Sequence, residues 1–339
     1  MSNDTNLIRD CAPDDIVSVG PSRQEMEAYE KNPPRFTHRK THYKHSFGDR
    51  CFSVFNYLFN GFLAFCCFYP FYYIFINTIS NNELSKRGKI LFLPKDVHFK
   101  NYVQALHLDG LLQAFGVSVA RTIIGMALTV IVAAFLGYMF TRETLWGRKF
   151  WYRFVAITMY FNAGVIPWYL TMMNLKLTNN FWGYIFPTIV APFYIILCKT
   201  FIESLPKELQ DAAEIDGAGT LRIFFSIILP VIKPIVATVA IFAAVNQWNS
   251  FQDNLLLMTD SRLNTLQLLL YNHIQSASSS AAALNNATAS TNVANVMTQA
   301  NAVTTRMTVT IIVVVPIVLV YPFFQRYFTK GIMIGAVKG

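Results

Sequence analysis

The chain is predicted to be an all-α integral membrane protein with six transmembrane helices and a cytoplasmic helix-turn-helix. Three observations carry that prediction: the composition, the spacing of uncharged apolar runs, and the placement of Lys and Arg. Of 339 residues, 53% are hydrophobic and 14% charged, and 29 are Phe; soluble globular domains hold about 25% charged residues. Crossing a hydrocarbon core takes about 20 mostly apolar residues. Six runs free of Asp, Glu, Lys and Arg meet that need: Cys51–Asn82, Thr122–Phe140, Phe154–Leu175, Leu177–Cys198, Pro234–Gln252 and Met307–Gln325. A seventh uncharged run, Leu263–Thr305, turns to Ala, Ser, Asn and Thr from Ser276 onward, so it reads as a loop with one short helix over Thr265–Ile274.

Loops that stay in the cytoplasm keep Lys and Arg. With the amino terminus inside, 19 of the 28 Lys and Arg fall on inner segments and eight on outer ones, with Arg121 at the edge of the second span. Both termini are therefore expected in the cytoplasm of a multi-pass membrane protein. Residues 1–50 are polar and the first apolar run is too long for a cleavable leader, so the first span serves as its own anchor. The basic stretch Lys31–Arg50 holds His38, His42 and His45; it reads as a segment lying on anionic headgroups, with a metal site as the alternative. The five Cys show no CxxC spacing, and no metal site is expected elsewhere.

The spans as drawn carry no Asp, Glu, Lys, Arg or His, which argues against a proton-driven carrier. No TVGYG filter, H-E-x-x-H, G-x-S-x-G or G-x-x-x-x-G-K-[ST] sequence occurs, so the chain is expected to be neither an enzyme nor its own motor. The segment 203–228 between the fourth and fifth spans offers a place for an external motor. Pro206 suits a first helical turn and Glu208 adds negative charge near its positive end. Gly217 and Gly219 break that helix, and Thr220 can cap the next one. Ala212 and Ala213 leave a narrow face, flanked by Leu209 and Asp216.

Asp211, Ala212, Ala213, Gly217, Ile227, Leu229 and Pro230 stand at the spacings of the E-A-A, three residues, G, nine residues, I-x-L-P signature, with Asp for the first Glu. On these residues the chain resembles the permeases of bacterial ABC importers. Gly147–Phe150, Phe161–Pro167, Trp248–Ser250 and the ending Lys330–Gly339 make it similar to the second-subunit branch of maltose-type sugar permeases, closest to those for complex oligosaccharides. The resemblance covers residues 115–339 and leaves 1–50 without a counterpart.

What the resemblance implies is a type I importer permease of three parts: a tail 1–50, a transmembrane domain 51–330 with a coupling loop 203–228 and an outer loop 253–306, and a tail 331–339. Its implied partners are a second permease subunit, two ATPase subunits holding ATP and Mg, an extracellular solute-binding protein, membrane lipids and an oligosaccharide; nucleic acid is not among them, and no cofactor sits on this chain. Leu209, Asp211, Ala212, Ala213, Asp216 and Gly217 would dock the ATPase. Ser278, Ser279, Ser280, Asn285 and Asn286 would either reach into the binding protein or belong to a plain linker. Trp248, Asn249, Phe251 and Asn162 are candidates for the translocation path, since rings stack on sugars and amides bond hydroxyls; belt packing at the interface explains Trp248 equally well. Phe161, Asn162 and Pro167 either break the third span or pack on the partner permease. The alternatives are an ABC permease for amino acids or peptides, and a channel or scaffold uncoupled from ATP.

Overall fold

The computed structural model describes residues 47–275 and 303–322, and every described element is helical. The chain divides into two compact units, Met1–Ala64 and Phe65–Gly339. The described part of the first is the leading half of α1 (Phe47–Thr78), whose aromatic side chains Phe52, Phe55 and Phe62 stand exposed. Such a surface is covered by lipid or by another chain.

The second unit is built around α4 (Leu111–Met139). Ahead of it, in the stretch expected to be the first outer loop, come two short helices, α2 (Asn82–Lys86) and α3 (Lys100–Leu106). Asn77, buried at the end of α1, fixes this region through Ser85 Oγ at 2.7 Å and the Ile90 carbonyl at 3.3 Å. At 1.5 Å per residue, the 29 residues of α4 run for about 44 Å, longer than a hydrocarbon core of about 30 Å. The reason for its central place is a stripe of small residues on the fourth-residue rows. Gly125, Thr129, Ala133 and Gly137 are buried in α4, and small residues let helix backbones approach closely. A Cβ at Gly125 would lie 2.5 Å from Gln247 Nε2, and one at Gly137 would lie 2.8 Å from Cys198 Cβ and 2.9 Å from the Lys199 nitrogen.

Two helices use that stripe: α8 (Pro192–Glu203) and α12 (Lys233–Asn249). Both belong to bent pairs. Phe181–Ile189, which ends in α7 (Phe186–Ile189), meets α8 at 45°, and Thr220–Val231 meets α12 at 84°. The second pair opens with α10 (Thr220–Ile223), runs through a π-helical turn over Phe224–Ile228, and reaches α11 (Leu229–Val231) before Ile232 breaks it. Pro at the second position of α12 suits a restart, because its missing N–H is an orphan there anyway.

Several predicted boundaries need correction; the fourth span, for one, does not end at Cys198, since α8 runs on to Glu203 and takes in Lys199. The second span does not begin at Thr122: α4 starts at Leu111 and takes in Arg121. The third span is not one helix but two, α5 (Arg148–Thr158) and α6 (Val165–Asn174). They part at Gly164, where φ is +86° and Asn162 Oδ1 accepts from the Gly164 N–H at 2.9 Å, while Pro167 sits inside α6. Within the described residues the sixth is helical over Val303–Pro322, so Arg306 lies on the helix rather than in the loop before it. Three described helices, Phe47–Thr78, Leu111–Met139 and Val303–Pro322, are long and apolar enough to cross a membrane, or five if each bent pair counts as one. The loop predicted over 253–306 also holds α13 (Gln252–Leu257), unforeseen, and α14, helical over 266–275 within the described residues, where a short helix over Thr265–Ile274 is expected.

Candidate functional site

Two regions of the second unit gather chemistry, one near each end of α4. The first is the segment after α8. Here α9 (Glu208–Ile215) starts from Lys207 as N-cap, so Pro206 stands outside the helix rather than in its first turn. It ends in a paired closure: the Gly217 N–H donates to the Glu214 carbonyl and the Ala218 N–H to the Ala213 carbonyl, each at 3.0 Å. That closure needs a left-handed residue, and Gly217 supplies it at φ +73°. Gly219, in extended backbone, then takes the cap position of α10; Thr220 is its first helical residue and caps nothing.

The predicted docking residues separate here. Leu209, Asp211, Ala212, Asp216 and Gly217 are exposed, whereas Ala213 is 6% exposed and joins the core of Ala133, Tyr138, Ile202, Ile223 and Phe224. Ala213 therefore seats the helix and is not part of an accessible face. Behind α9 lies a cavity of about 580 Å³, lined among others by Arg142, Glu143, Arg148, Lys207, Asp211 and Glu214. Arg142, just past the end of α4, is nine-tenths buried and ion-paired to Glu214. Glu143 lies between Lys207 at 3.9 Å and Arg148 at 3.7 Å; these pairs are more exposed, and such pairs add little.

The second region surrounds Arg121, which is 1% exposed. Its guanidinium makes five bonds: Nε and Nη2 to Gln247 Oε1 at 3.2 and 3.0 Å, Nη1 to the Ser250 carbonyl and Asp253 Oδ1 at 3.3 Å each, and Nη2 to Asp253 Oδ2 at 2.5 Å. The guanidinium also sits 4.5 Å from the centre of the Tyr184 ring. Asp253 Oδ1 accepts further from Ser250 Oγ at 3.1 Å and from the Asn254 N–H at 2.9 Å. Gln247 Nε2 donates to Thr188 Oγ1 at 2.7 Å. The cluster thus ties α4 to the end of α12, to α13 and to the Phe181–Ile189 segment, and its formal charges cancel.

Beside it opens a cleft of about 320 Å³, walled by Asn162, Trp168, Tyr184, Ser250, Gln252 and Asp253 among others. Of the predicted path residues only Asn162 lines it. Trp248 is buried, donates from Nε1 to the Val313 carbonyl at 3.1 Å and meets Phe115 edge to face, so it packs helices together. Asn249 Oδ1 accepts from Gln267 Nε2 at 3.2 Å, and Phe251 stacks on Tyr271 at 4.9 Å, which accounts for both. Sequence reasoning misses Arg121 and Asp253 because the predicted span boundary falls one residue past Arg121. The available signal is positional: Arg121 falls on the same every-fourth-residue row as Gly125, Thr129, Ala133 and Gly137.

Ser278, Ser279, Ser280, Asn285 and Asn286, the tail with His38, His42 and His45, and the ending 331–339 lie outside the described residues. Among the described residues no three His, Cys, Asp or Glu side chains gather as metal ligands would.

With this geometry in view, residues 41–334 match the family described as "Binding-protein-dependent transport system inner membrane component". The chain belongs to that family. It is 34% identical to Protein LplC of Bacillus subtilis over 86% of this chain and 96% of the relative. It is 31% identical to the polygalacturonan/rhamnogalacturonan transport system permease protein YtcP of the same organism, over 84% of this chain and 99% of the relative. A crystal structure of a bacterial ABC transporter involved in the import of the acidic polysaccharide alginate contains a chain with the same fold, at TM-score 0.73 and 27% identity, covering 84% of this chain and 98% of that one. The protein is an ABC importer permease, a multi-pass inner-membrane component that works with a partner permease, an ATPase and a solute-binding protein. Family membership carries this conclusion; charge-free spans do not, because α4 buries Arg121.

Proposed function

We propose that this permease imports oligosaccharides, forming the path with a second permease and driven by two ATPase subunits that hold ATP and Mg. Relatives named for polygalacturonan, rhamnogalacturonan and alginate support the sugar over the peptide alternative, and family membership supports a coupled importer over a channel or scaffold. The chain crosses six times, with α5 and α6 making one interrupted crossing and both termini cytoplasmic.

In this reading α9 is the coupling helix. Leu209, Asp211, Ala212, Asp216 and Gly217 meet the ATPase, and closure of the ATPase pair swings the bent spans from inward- to outward-facing. The observation that carries it is the exposed α9, closed by Gly217 at the signature spacing, in a chain that matches the permease family over 41–334. The cleft beside Asp253 contributes to the sugar path: Trp168 offers a ring to stack on a sugar, while Asn162 and Gln252 offer amides. The stretch with Ser278–Ser280, Asn285 and Asn286 faces the binding protein.

The test is reconstitution. The chain is co-expressed with the permease, ATPases and binding protein encoded beside it, placed in liposomes, and given labelled neutral and uronic oligosaccharides. ATP-dependent uptake of either class is expected, together with its loss in Ala212→Arg without loss of membrane insertion. Uptake of neither class, with peptides taken up instead, overturns the sugar reading.

A further inference from the structure

A lever works only if it is stiff, and α9 has little stiffness of its own. Eight residues form about two turns, too short to hold as an isolated helix. Of its side chains only Ala213 is buried. What else holds it is Arg142. This side chain pairs with Glu214 on α9 while its guanidinium carbon lies 5.8 Å from the centre of the Tyr138 ring in the last turn of α4. Tyr138 in turn stacks on Phe224 at 5.6 Å, and Phe135 meets the same ring edge to face at 5.3 Å. Phe224 opens the π-helical turn below the 84° bend. One guanidinium therefore stands between the exposed helix, the end of the central helix, and the aromatic group at the foot of the bent pair.

The bonding of Arg142 is unfinished in a telling way. Among the described residues its buried Nε has no hydrogen-bond partner, while the guanidinium lies close enough to the Tyr138 hydroxyl to act on it. A nine-tenths-buried cation with an unused donor depends heavily on the one carboxylate it has, and that carboxylate is itself 44% exposed on the solvent side of the pair. Loss of Glu214 would leave the cation buried against an aromatic ring and a cavity.

We propose that Arg142 is a positioning residue for energy coupling: through Glu214 it makes α9 and the inner end of α4 move as one body, so that force applied to α9 reaches the bent spans. This rests on the reading of α9 as the coupling helix, although the clasp itself can be measured without it. Spin labels at Ile131 on α4 and Ile215 on α9, both exposed, report the distance between the two elements. The five native cysteines are first replaced, and electron–electron resonance is recorded on the permease complex in nanodiscs, without nucleotide and with ATP and vanadate.

The native pair gives one narrow distance that is preserved when ATP and vanadate are added. Arg142→Glu and Glu214→Arg each lose it, and the double swap R142E/E214R regains it. A single variant that keeps the native distribution, or a double swap as broad as either single, overturns the proposal. Glu214 is half exposed, so Glu214→Arg and the swap still decide should Arg142→Glu alone fail to purify. Absence of ATPase subunits from the native complex would count against the coupling reading and leave the clasp measured on the permease alone.

Discussion

Arg121, within α4, and Arg142, just past its end, are built in opposite ways. Arg121 commits its guanidinium fully to Gln247, Ser250 and Asp253, and both side-chain partners are themselves buried. Arg142 leaves one donor unused and shares its charge with a half-exposed Glu214. A closed cluster resists rearrangement, because any shift strands several buried groups at once. A clasp with one solvent-facing partner is stiff while paired and is open to exchange. One helix thus carries a fixed joint within its length and a serviceable one just past its end.

The sharpest way to break this contrast is to remove one side of each pair. Arg121→Leu or Asp253→Leu should cost about 3–5 kcal/mol, because a buried charge is left without its partner, and the double R121L/D253L should recover much of that loss. Thermal unfolding of the detergent-purified complex, followed by size-exclusion, reads both. Equal losses in the single and double variants would show that the pair is not a closed unit.

Next in size is the seam between them. Gly137→Ala places a methyl 2.8 Å from Cys198 Cβ and 2.9 Å from the backbone nitrogen of Lys199, which cannot swing away. About 1–3 kcal/mol of destabilisation is expected in the same assay, as for other overpacked cores. Gly217→Val comes third. Its Cβ would meet nothing within 4 Å, so only the left-handed backbone resists it, at about 1–2 kcal/mol confined to the turn. Hydrogen exchange should quicken over 214–219 and stay unchanged around Arg121. Smallest in stability is Leu209→Arg on the exposed face of α9, expected within about 0.5 kcal/mol of native. Its effect is instead on co-purification of the ATPase subunits, which should be lost.

Much of this architecture is legible in the amino-acid sequence. Runs such as Thr122–Phe140 and Met307–Gln325 locate helices because lipid demands length and apolarity, and both demands are written one residue at a time. The left-handed turn at Gly217 is legible for a similar reason: few other residues accept that backbone. Arg121 and Asp253 are not, since each looks like an ordinary edge charge until helix packing brings residues 121, 247 and 253 together. Trp248 misleads because its chemistry suits a sugar, whereas its place, against Phe115 and the Val313 carbonyl, depends on two distant helices. Ala213 and Ala212 are the same residue type, and only the orientation of α9 separates the buried one from the exposed one.

In the proposed six-crossing reading, the gap between α5 and α6 leaves a mark on the membrane itself. The Gly164 N–H is met by Asn162, yet Phe161, Asn162 and Ala163 donate no backbone bond among the described residues. Hydrocarbon does not tolerate bare amides, so a crossing that carries them must turn that edge toward water or a neighbouring chain. Since Asn162 and Gly164 also wall the cleft, the wet seam of the bilayer and the cargo route would share one border. A thiol introduced at Ala163 should then react with a charged, membrane-impermeant reagent that leaves a thiol at Ile131 untouched.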